Sequence, residues 1–406
     1  MRIINQIMEF GVNLIFYLAS YFVKRDEHRI ALGSWAGELY IDNTKYLLEE
    51  MLKDLDDSFI FAWVGKTELE KALPRNQRVK LLRKDSISTY FELLKCKYFF
   101  CSQYATIDLC KYNVFHGAIL TYLHHGFPIK KIGADKVTHT RKTSLMLNKI
   151  TLRSVYDYFV VSSEIQKQIF LSAFSSKGCT QNNILSTGTP RNDFLLRLSE
   201  NEKQEIKKMF KESNNIGQDK KIILYLPTFR RLNTNIESLY NRKNSEEKGR
   251  IHNLLTKNNC ILVEKGHFAD HSQWKPDSAG AVNRNYLCLG KNTNVQELLV
   301  CADILISDFS GAFVDYLLLN RPIIHYLYDY DNYKEMDSGL NFTREEFACG
   351  KIAYNFPDLL SCIVVCLNGE DDEETKRITK RKLFLEYETG NASKQIINKV
   401  ILNIER

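Results

Sequence analysis

Short runs of apolar residues alternate with amphipathic and polar stretches along most of the chain. The runs are continuous and rich in β-branched and aromatic residues, which is typical of buried parallel strands. Helical patterns between them predict βαβ crossovers. Nine runs form two series, in chain order Arg29–Trp35, Ser58–Gly65, Lys97–Ser102, Ala118–Gly126 and Asp157–Ser163, then Lys221–Phe229, Cys260–Phe268, Ala302–Asp308 and Arg321–Asp329.

Two series of strands in a chain of 406 residues predict two α/β domains that face each other across a cleft. Ligands of such sheets bind at the carboxyl ends of the strands. The predicted segments are an N-terminal helix in 1–28, a first domain in 29–193, a second domain in 194–371 and charged C-terminal helices in 372–406.

The N-terminal apolar stretch, Phe10–Val23, is shorter than the roughly 20 residues that a spanning helix needs. A signal peptide is not expected, because no small-residue cleavage site follows. Two readings stay open: an amphipathic helix lying in a membrane interface, or a helix docked on the protein's own core. The polar stretch Leu232–Arg250 is expected to be a mobile insertion followed by a helix.

Composition narrows the class of protein only a little. The hydrophobic fraction of 44% is ordinary for a folded protein, and a net charge of +7 does not by itself predict nucleic-acid binding. Ten cysteines without a CxxC pair indicate a reducing compartment and no disulfide framework. A local basic cluster suits a polyanion or an anionic membrane surface, or is simply solvated; it contains Lys130, Lys131, Lys136, Arg141 and Lys142.

A candidate anion site follows the strand that ends at Ser307 and Asp308. The turn Phe309-Ser310-Gly311 leads into a helix that is expected to begin near Ala312. Backbone N–H groups at such a turn are unpaired and attract phosphate, and the Ser310 hydroxyl adds a donor. The alternative is an ordinary N-cap serine in a tight loop.

Other predicted strand ends supply cations and hydroxyls to the same side. They carry Thr228, Arg230, Lys265 and His267, and Arg191 lies in a Gly-Pro turn near the domain junction. Convergence of several such groups is a stronger indication of a site than any one of them.

Two histidines, His124 and His125, precede a tight turn in the first domain. Adjacent strand residues point to opposite faces, so we expect one imidazole to enter the cleft and to act as a general base. A zinc site built from histidines is disfavoured, because cysteine or carboxylate ligands at suitable spacing are missing from the set His116, His124, His125 and His139.

Five collinear motifs resemble the CDP-glycerol glycerophosphotransferase family, which includes teichoic-acid primases, polymerases and capsule-assembly relatives. They are LHHGFPIKKIGAD, GTPRND, LPTFR, EKGHF and SDFSGAFVDYLLLNRPIIHYLYDYDNY, and GSWAGELYIDNTKYL near the N-terminus is also similar to the family's opening segment. The resemblance implies a GT-B fold with two Rossmann-like domains. It also implies transfer of glycerol phosphate from CDP-glycerol to a hydroxyl of a lipid-linked acceptor, with release of CMP.

The resemblance also implies roles for individual residues. The family's Trp-His-Gly base corresponds to His125, and its donor-phosphate histidine corresponds to His267. The 29–193 segment becomes the acceptor domain and 194–371 the CDP-donor domain. Expected donor-binding residues are Arg191, Thr228, Arg230, Lys265, Ser307, Asp308, Ser310 and Gly311, and the basic cluster is expected to hold the acceptor or the membrane.

Some implications concern partners and location. The expected partners are a CDP-activated polyol, a polyprenyl-linked or polyanionic acceptor and the inner face of the bacterial cytoplasmic membrane, without nucleic acid. No tightly bound cofactor or metal is expected, although Mg²⁺ bridging the pyrophosphate stays open. Oligomeric state, chain length of the product and the choice between teichoic acid and capsule are not determined.

Departures from the family pattern leave alternatives. Gly311 replaces a second serine, Phe127 a threonine and Phe268 a proline. CDP-ribitol or another CDP-polyol therefore remains an alternative donor. A GT-B glycosyltransferase that uses a nucleotide sugar, and a polyanion-binding protein without catalysis, are the two alternative functions.

Overall fold

The structure, a computed structural model, describes residues 2–136, 154–228, 238–240, 244–266, 285–290, 292–336 and 339–404. The chain divides into two compact units. The first unit comprises Met1–His125, His139–Phe194 and Glu386–Arg406, and the second comprises Gly126–Thr138 and Leu195–Leu385. This division into compact units is a separate description of the chain. The domain boundaries predicted at 28/29, 193/194 and 371/372 stay a prediction.

The first unit is built on a seven-stranded parallel sheet with the order β3-β2-β1-β4-β5-β6-β7. Its strands are β1 Asp26–Gly33, β2 Ile60–Gly65, β3 Val79–Arg83, β4 Cys96–Cys101, β5 Ile119–Tyr122, β6 Tyr158–Val161 and β7 Ile184–Ser186. The helices numbered with this unit are α1 Arg2–Phe22, α2 Asp42–Asp54, α3 Ile87–Lys95, α4 Ala105–Asp108, α5 Glu164–Ala173 and α6 Pro190–Arg197.

The second unit repeats this design with a six-stranded parallel sheet of order β10-β9-β8-β11-β12-β13. Its strands are β8 Lys221–Leu226, β9 Cys260–Lys265, β10 Tyr286–Leu289, β11 Ile304–Ser307, β12 Ile323–Tyr326 and β13 Lys351–Ala353. Its helices are α7 Glu200–Ser213, α8 Ser245–Lys257, α9 Val295–Cys301, α10 Ala312–Tyr316, α11 Tyr330–Met336, α12 Arg344–Phe347, α13 Phe356–Leu367 and α14 Glu374–Phe384.

Both sheets have the doubly wound strand order, in which the direction of winding reverses at one point. That switch point lies between β1 and β4 in the first sheet and between β8 and β11 in the second. The prediction of two Rossmann-like parallel sheets is therefore confirmed.

The hydrophobic core of the first unit includes both the sheet and the end of the chain. Trp63, Phe100 and Val160 of the sheet share one cluster with Ile396 and Val400. The latter two belong to the last helix, which runs as α15 Ala392–Ile396 and continues as a π-helical turn, Ile397–Ile401. The expected C-terminal helices thus belong to different units, α14 to the second and α15 to the first.

The N-terminal helix is longer than the apolar stretch that predicted it, and it docks on the first unit. Phe16 stacks on Tyr90 and Tyr112, with ring centroids 4.4 and 5.8 Å apart. The Asn13 side chain accepts a hydrogen bond from the Asn113 N–H at 2.7 Å. Docking on the protein's own fold is therefore present. The opposite face is exposed and apolar, and its placement in a membrane interface stays a prediction.

The insertion expected to be mobile is anchored at one point in the described part of the chain. Leu239 and Tyr240 are buried in the core cluster of the second unit, and Tyr240 stacks on Tyr286 at 4.3 Å. This short segment contributes apolar side chains to the core, and the expected mobility of the insertion stays a prediction. The helix expected after it is α8.

Candidate functional site

Three turns meet at the carboxyl edge of the first sheet, on either side of its switch point. The register places Gly33 of β1 opposite Cys101 of β4, and Cys101 opposite Tyr122 of β5. The residues that follow these strand ends therefore lie along one edge, where doubly wound sheets bind ligands.

His125 presents an exposed imidazole at this edge. Its Nδ1 lies 3.3 Å from the backbone oxygen of Ser102. In the tautomer that donates from Nδ1 to this carbonyl, Nε2 carries the lone pair and can accept a proton. The residue predicted as the base therefore has an exposed ring beside a carbonyl oxygen, and its catalytic role stays a prediction.

His124 is a buried aromatic packing residue. Its side chain is 4% exposed and packs edge-on against Tyr122 and Phe170, with centroids 5.6 and 5.2 Å away. Strand alternation does not cause the difference between the two histidines, because the strand ends at Tyr122 and His124 has a left-handed φ of 59°.

A buried polar network holds the backbone that leads into His125. The Asn43 side-chain amide donates to the carbonyls of Leu123 and His124, at 3.3 and 2.7 Å. Its Oδ1 accepts the Arg191 N–H at 3.1 Å. Asn43 is fully buried, so the conformation before the candidate base is fixed by a side chain 80 residues earlier.

Arg191 lies in this network, at the beginning of α6. Its guanidinium donates to Asp42 Oδ1 at 3.1 Å, and both side chains are buried. Its predicted role as a donor ligand stays a prediction, but the ion pair with Asp42 favours a positioning role within the first unit.

Asp108 is a buried carboxylate that the sequence motifs do not single out. It accepts hydrogen bonds from the backbone N–H groups of Ala36, Ser102 and Gln103. Burial is the main influence on its pKa, which rises to about 7. The hydrogen bonds of Asp108 hold the turns after β1 and β4 together. This role can be recognised only from the three-dimensional structure.

Asp308 and Thr228 form the corresponding brace in the second sheet. Asp308 accepts from the Thr228 backbone N–H at 2.9 and 3.1 Å and from the Thr228 hydroxyl at 2.6 Å. The Ser307 hydroxyl donates to the Leu226 carbonyl at 3.2 Å. Thr228, Ser307 and Asp308, which are predicted to bind the CDP-activated donor, are all buried. Their hydrogen bonds connect the ends of β8 and β11.

Ser310 and Gly311 are the accessible part of this turn. The Ser310 Oγ accepts the Ala312 N–H at 3.3 Å, and Gly311 occupies the N-cap position of α10. The helix begins at Ala312, as predicted, but it has only five residues. A helix this short has only a small dipole, so the predicted anion binding would depend on individual N–H and hydroxyl groups.

Gly311 is required by a close backbone approach. A Cβ at this position would lie 2.8 Å from the Phe127 carbonyl oxygen and 3.1 Å from its nitrogen. Gly126 and Phe127 belong to the second unit and directly follow His125 in the sequence. The glycine therefore allows the turn after β11 to pack against this segment.

β9 ends with two buried ionisable side chains, Glu264 and Lys265. Burial lowers the pKa of Lys265 to about 8 and raises the pKa of Glu264 to about 7. Glu264 accepts hydrogen bonds from the Ser238 and Tyr286 hydroxyls, at 2.7 and 2.9 Å, and from the Leu239 N–H at 2.6 Å. Sequence reasoning selected the lysine and missed the carboxylate beside it.

The basic cluster begins in a segment of the second unit. The Lys131 N–H donates to the Gly339 carbonyl at 2.9 Å, and Lys130 forms an antiparallel bridge with Leu340. Lys130, Lys131 and Lys136 have half-buried side chains. The predicted site residues Arg141, Lys142, Arg230 and His267 lie outside the described residues.

A cavity of about 640 Å³ opens at the carboxyl end of β12 in the second unit. The Arg344 guanidinium lies over the rings of Tyr330 and Tyr354, 5.9 and 5.5 Å from their centroids, and all three residues line the cavity. Its volume is in the range of small-molecule sites.

Neither a metal cluster nor a membrane-spanning helix is found in the described ranges. No three histidine, cysteine, aspartate or glutamate side chains there converge as metal ligands. None of the helices described is both long and apolar enough to cross a bilayer.

Comparison of the sequence with known proteins finds similarity to teichoic acid polymerases and primases. A teichoic acid poly(glycerol phosphate) polymerase of Bacillus spizizenii is 25% identical over 93% of this chain and 93% of its own length. A teichoic acid glycerol-phosphate primase of Bacillus subtilis is 30% identical over 68% of this chain and 65% of its own length.

The fold comparison agrees with the sequence comparison. A solved structure of the wall teichoic acid polymerase TagF superimposes with a TM-score of 0.78 at 21% identity, covering 98% of this chain and 94% of that one. This likeness confirms the predicted GT-B fold. The family profile described as CDP-Glycerol:Poly(glycerophosphate) glycerophosphotransferase matches residues 15–402. The chain therefore belongs to the CDP-glycerol:poly(glycerophosphate) glycerophosphotransferase family, and the predicted enzyme class, a CDP-glycerol transferase, is confirmed.

Proposed function

We propose that this enzyme transfers glycerol phosphate from CDP-glycerol to a hydroxyl group of a lipid-linked teichoic acid acceptor and releases CMP. The observation that carries this proposal is the state of His125. Its imidazole is exposed at the switch point of the first sheet, and the Ser102 carbonyl orients it through Nδ1.

In the proposed reaction, His125 Nε2 accepts the proton of the attacking hydroxyl. The hydroxyl oxygen forms a bond to the phosphorus that carries the glycerol, and the bond from that phosphorus to the bridging oxygen of CMP breaks. CMP leaves with the bonding electrons, and a phosphodiester forms. Phosphoryl transfer depends chiefly on positioning and electrostatic stabilisation, so a single base with several phosphate ligands suffices.

The donor ligands in this proposal belong to the second unit. The Ser310 hydroxyl and the Gly311 N–H bind the pyrophosphate, and the cations Lys265, His267 and Arg230 neutralise its charge. Support comes from Ser310 and Gly311, which are accessible at the end of β11 while Asp308 and Thr228 are buried beneath them. We propose no tightly bound cofactor, and Mg²⁺ on the pyrophosphate is tested by chelation.

The test is a transfer assay with defined donors. The full chain is incubated with CDP-glycerol and a synthetic lipid-linked glycerol-phosphate primer, and CMP release and product masses are measured. We expect equal amounts of CMP and of added glycerol phosphate. Parallel arms with CDP-ribitol and UDP-glucose decide between donors: transfer from UDP-glucose alone would support a glycosyltransferase, and no transfer from any donor would contradict the proposal.

We also propose that the enzyme works at the inner face of the cytoplasmic membrane, with α1 lying in the lipid interface. One face of α1 is docked through Phe16 and Asn13. The other face is apolar and exposed, with Phe22 87%, Ile15 66% and Met8 64% accessible. An amphipathic helix of this kind binds at the boundary between headgroups and acyl chains.

Vesicle sedimentation tests this location. The double variant Ile15→Asp with Phe22→Asp should no longer sediment with anionic phosphatidylglycerol vesicles, because it places two charges on the proposed lipid-facing surface. The matched control is Met209→Asp, which changes an exposed apolar residue of α7 in the second unit. Equal sedimentation of both variants would contradict a role for α1.

A further inference from the structure

The turn that follows β1 has an unusual backbone. Trp35, Ala36 and Gly37 have successive positive φ angles of 45°, 58° and 77°. Left-handed conformations are unfavourable for residues with a Cβ, and two such residues in succession persist only where the surroundings determine them. Strain of this kind is concentrated at functional sites, so the question is what the turn presents.

The surroundings hold the turn from several directions. The Ala36 N–H donates to Asp108 Oδ1 at 3.0 Å, and the Lys84 ammonium donates to the Ala36 carbonyl at 2.8 Å. The Gly37 N–H donates to the Ser34 carbonyl at 2.9 Å. Asp108, which also holds the Ser102 N–H, thereby links this turn to the carbonyl that orients His125.

The turn presents the indole ring of Trp35 to His125. The indole Nε1 donates to Asp42 Oδ2 at 2.9 Å, and the other oxygen of Asp42 accepts from the Arg191 guanidinium. The indole meets the His125 imidazole edge-on, with centroids 5.9 Å apart and an interplanar angle of 70°. A buried ion pair thus fixes one side of the indole, and the other contacts the candidate base.

We propose that Trp35 is a positioning residue for His125, braced through Asp42 to Arg191, and that together with the Ser102 carbonyl it fixes the orientation of the imidazole. This inference rests on the proposed role of His125 as the base. Small misplacements of a catalytic group cost up to about 10²-fold in rate. Trp35→Ala should therefore lower kcat by about 10- to 100-fold and leave the donor KM unchanged.

A double-mutant cycle tests the inference directly. The kcat of the full chain is measured for Trp35→Ala, His125→Ala and the double variant, in the transfer assay with CDP-glycerol. A residue that acts through His125 loses its effect once the imidazole is absent, so the double variant should match His125→Ala. Multiplicative losses would overturn the proposal, because they indicate a separate role.

Two further measurements separate positioning from folding. Trp35→Phe keeps a ring beside His125 but loses the hydrogen bond to Asp42, so its kcat should lie between those of the wild type and Trp35→Ala. Where Trp35→Ala fails to fold, the same cycle with Trp35→Phe decides. In ¹⁵N NMR spectra His125 should show the Nδ1–H tautomer in the wild type and mixed tautomers in Trp35→Phe, and an unchanged spectrum would contradict positioning.

The matched control is Trp63→Phe in the same unit. Trp63 is fully buried in the core, and its Nε1 has no hydrogen-bond partner among the described residues. Its kcat per folded molecule should equal that of the wild type, and a loss as large as that of Trp35→Phe would overturn the proposal. Near-normal turnover of His125→Ala would instead refute the proposed base itself, so the two failures are distinguishable.

Discussion

The two sheet edges have the same strand order but use their polar groups differently. At the first edge, the buried side chains of Asn43 and Asp108 hold backbone groups, Arg191 pairs with Asp42, and one imidazole is exposed. At the second, one short turn offers a hydroxyl and backbone N–H groups above a single buried brace. In the proposed function the first edge supplies the base and the second binds the pyrophosphate, so the same strand order would carry two chemistries according to its turns.

The largest effect is expected from removing the exposed group of the first edge. His125→Ala should lower kcat by about 10²–10⁴-fold, the usual contribution of a general base. The dissociation constant for CDP-glycerol, measured by calorimetry, should stay the same because the proposed donor ligands are in the second unit. A weaker affinity for CDP-glycerol in this variant would contradict the proposal that the first edge supplies the base and the second edge binds the donor.

The second-largest effect is expected from the buried hydrogen bonds of Asn43, which hold the backbone before His125. Asn43→Ala removes three buried hydrogen bonds, two to carbonyls and one from an N–H, and should lower the free energy of unfolding by about 3 kcal/mol. For a unit of this size that corresponds to a fall in Tm of roughly 6–12 °C by calorimetry. The matched control, Asn214→Ala at the end of α7, removes one part-buried hydrogen bond and should cost far less.

The third effect is confined to the second edge. Ser310→Ala should raise the KM for CDP-glycerol by about 10- to 100-fold, because a hydrogen bond to a charged group typically contributes about 1.5–3 kcal/mol. Steady-state kinetics with varied donor measure it. Ser361→Ala, on the exposed side of α13, is the control. A fall in kcat with unchanged donor KM would place Ser310 in the chemical step.

The smallest effect is a pH dependence that originates at Lys265. Burial lowers the pKa of Lys265 to about 8, so the cation is lost as the pH rises from 7 to 9. The donor KM should then rise several-fold over this range, and Lys265→Met should not show the change.

Stability gives a second measure of the same group. The unfolded pKa is about 10.4, so the unfolded state binds more protons between pH 8 and 10.4, and Lys265 makes stability increase with pH there. Urea unfolding at pH 8 and pH 10 measures this contribution as the difference between wild type and Lys265→Met. Identical pH responses of the two proteins would contradict the lowered pKa.

The sequence predicted the interior of the fold better than its margins. All nine predicted strands are present. The described strands that the apolar runs did not predict are β3, β7, β10 and β13, which are the four edge strands of the two sheets. These strands are short and partly exposed: β3, β7 and β13 lack a long continuous apolar run, and the apolar run of β10 has only four residues.

The candidate site likewise has one part that could be predicted from the sequence and one part that could not. The Ser310 turn was predictable because strand, turn and helix follow one another directly in the sequence. Asp42, Asn43 and Asp108 were not, because each of them depends on a contact with a residue that is 72 to 149 positions away. One local signal was available: GSWAGELYIDN places small and polar residues directly after a strand.

Arg25 has a consequence for how the enzyme meets its substrate. Its guanidinium donates to the carbonyls of Leu93, Cys96, Val114 and His116, so the end of α1 is fixed to the first unit. A membrane anchor on a flexible tether would let a catalytic unit tumble above the lipid. With α1 in the interface, as proposed, the first sheet would instead keep one height and tilt above the bilayer, so an acceptor rising from the headgroups would reach the same part of the enzyme at every encounter.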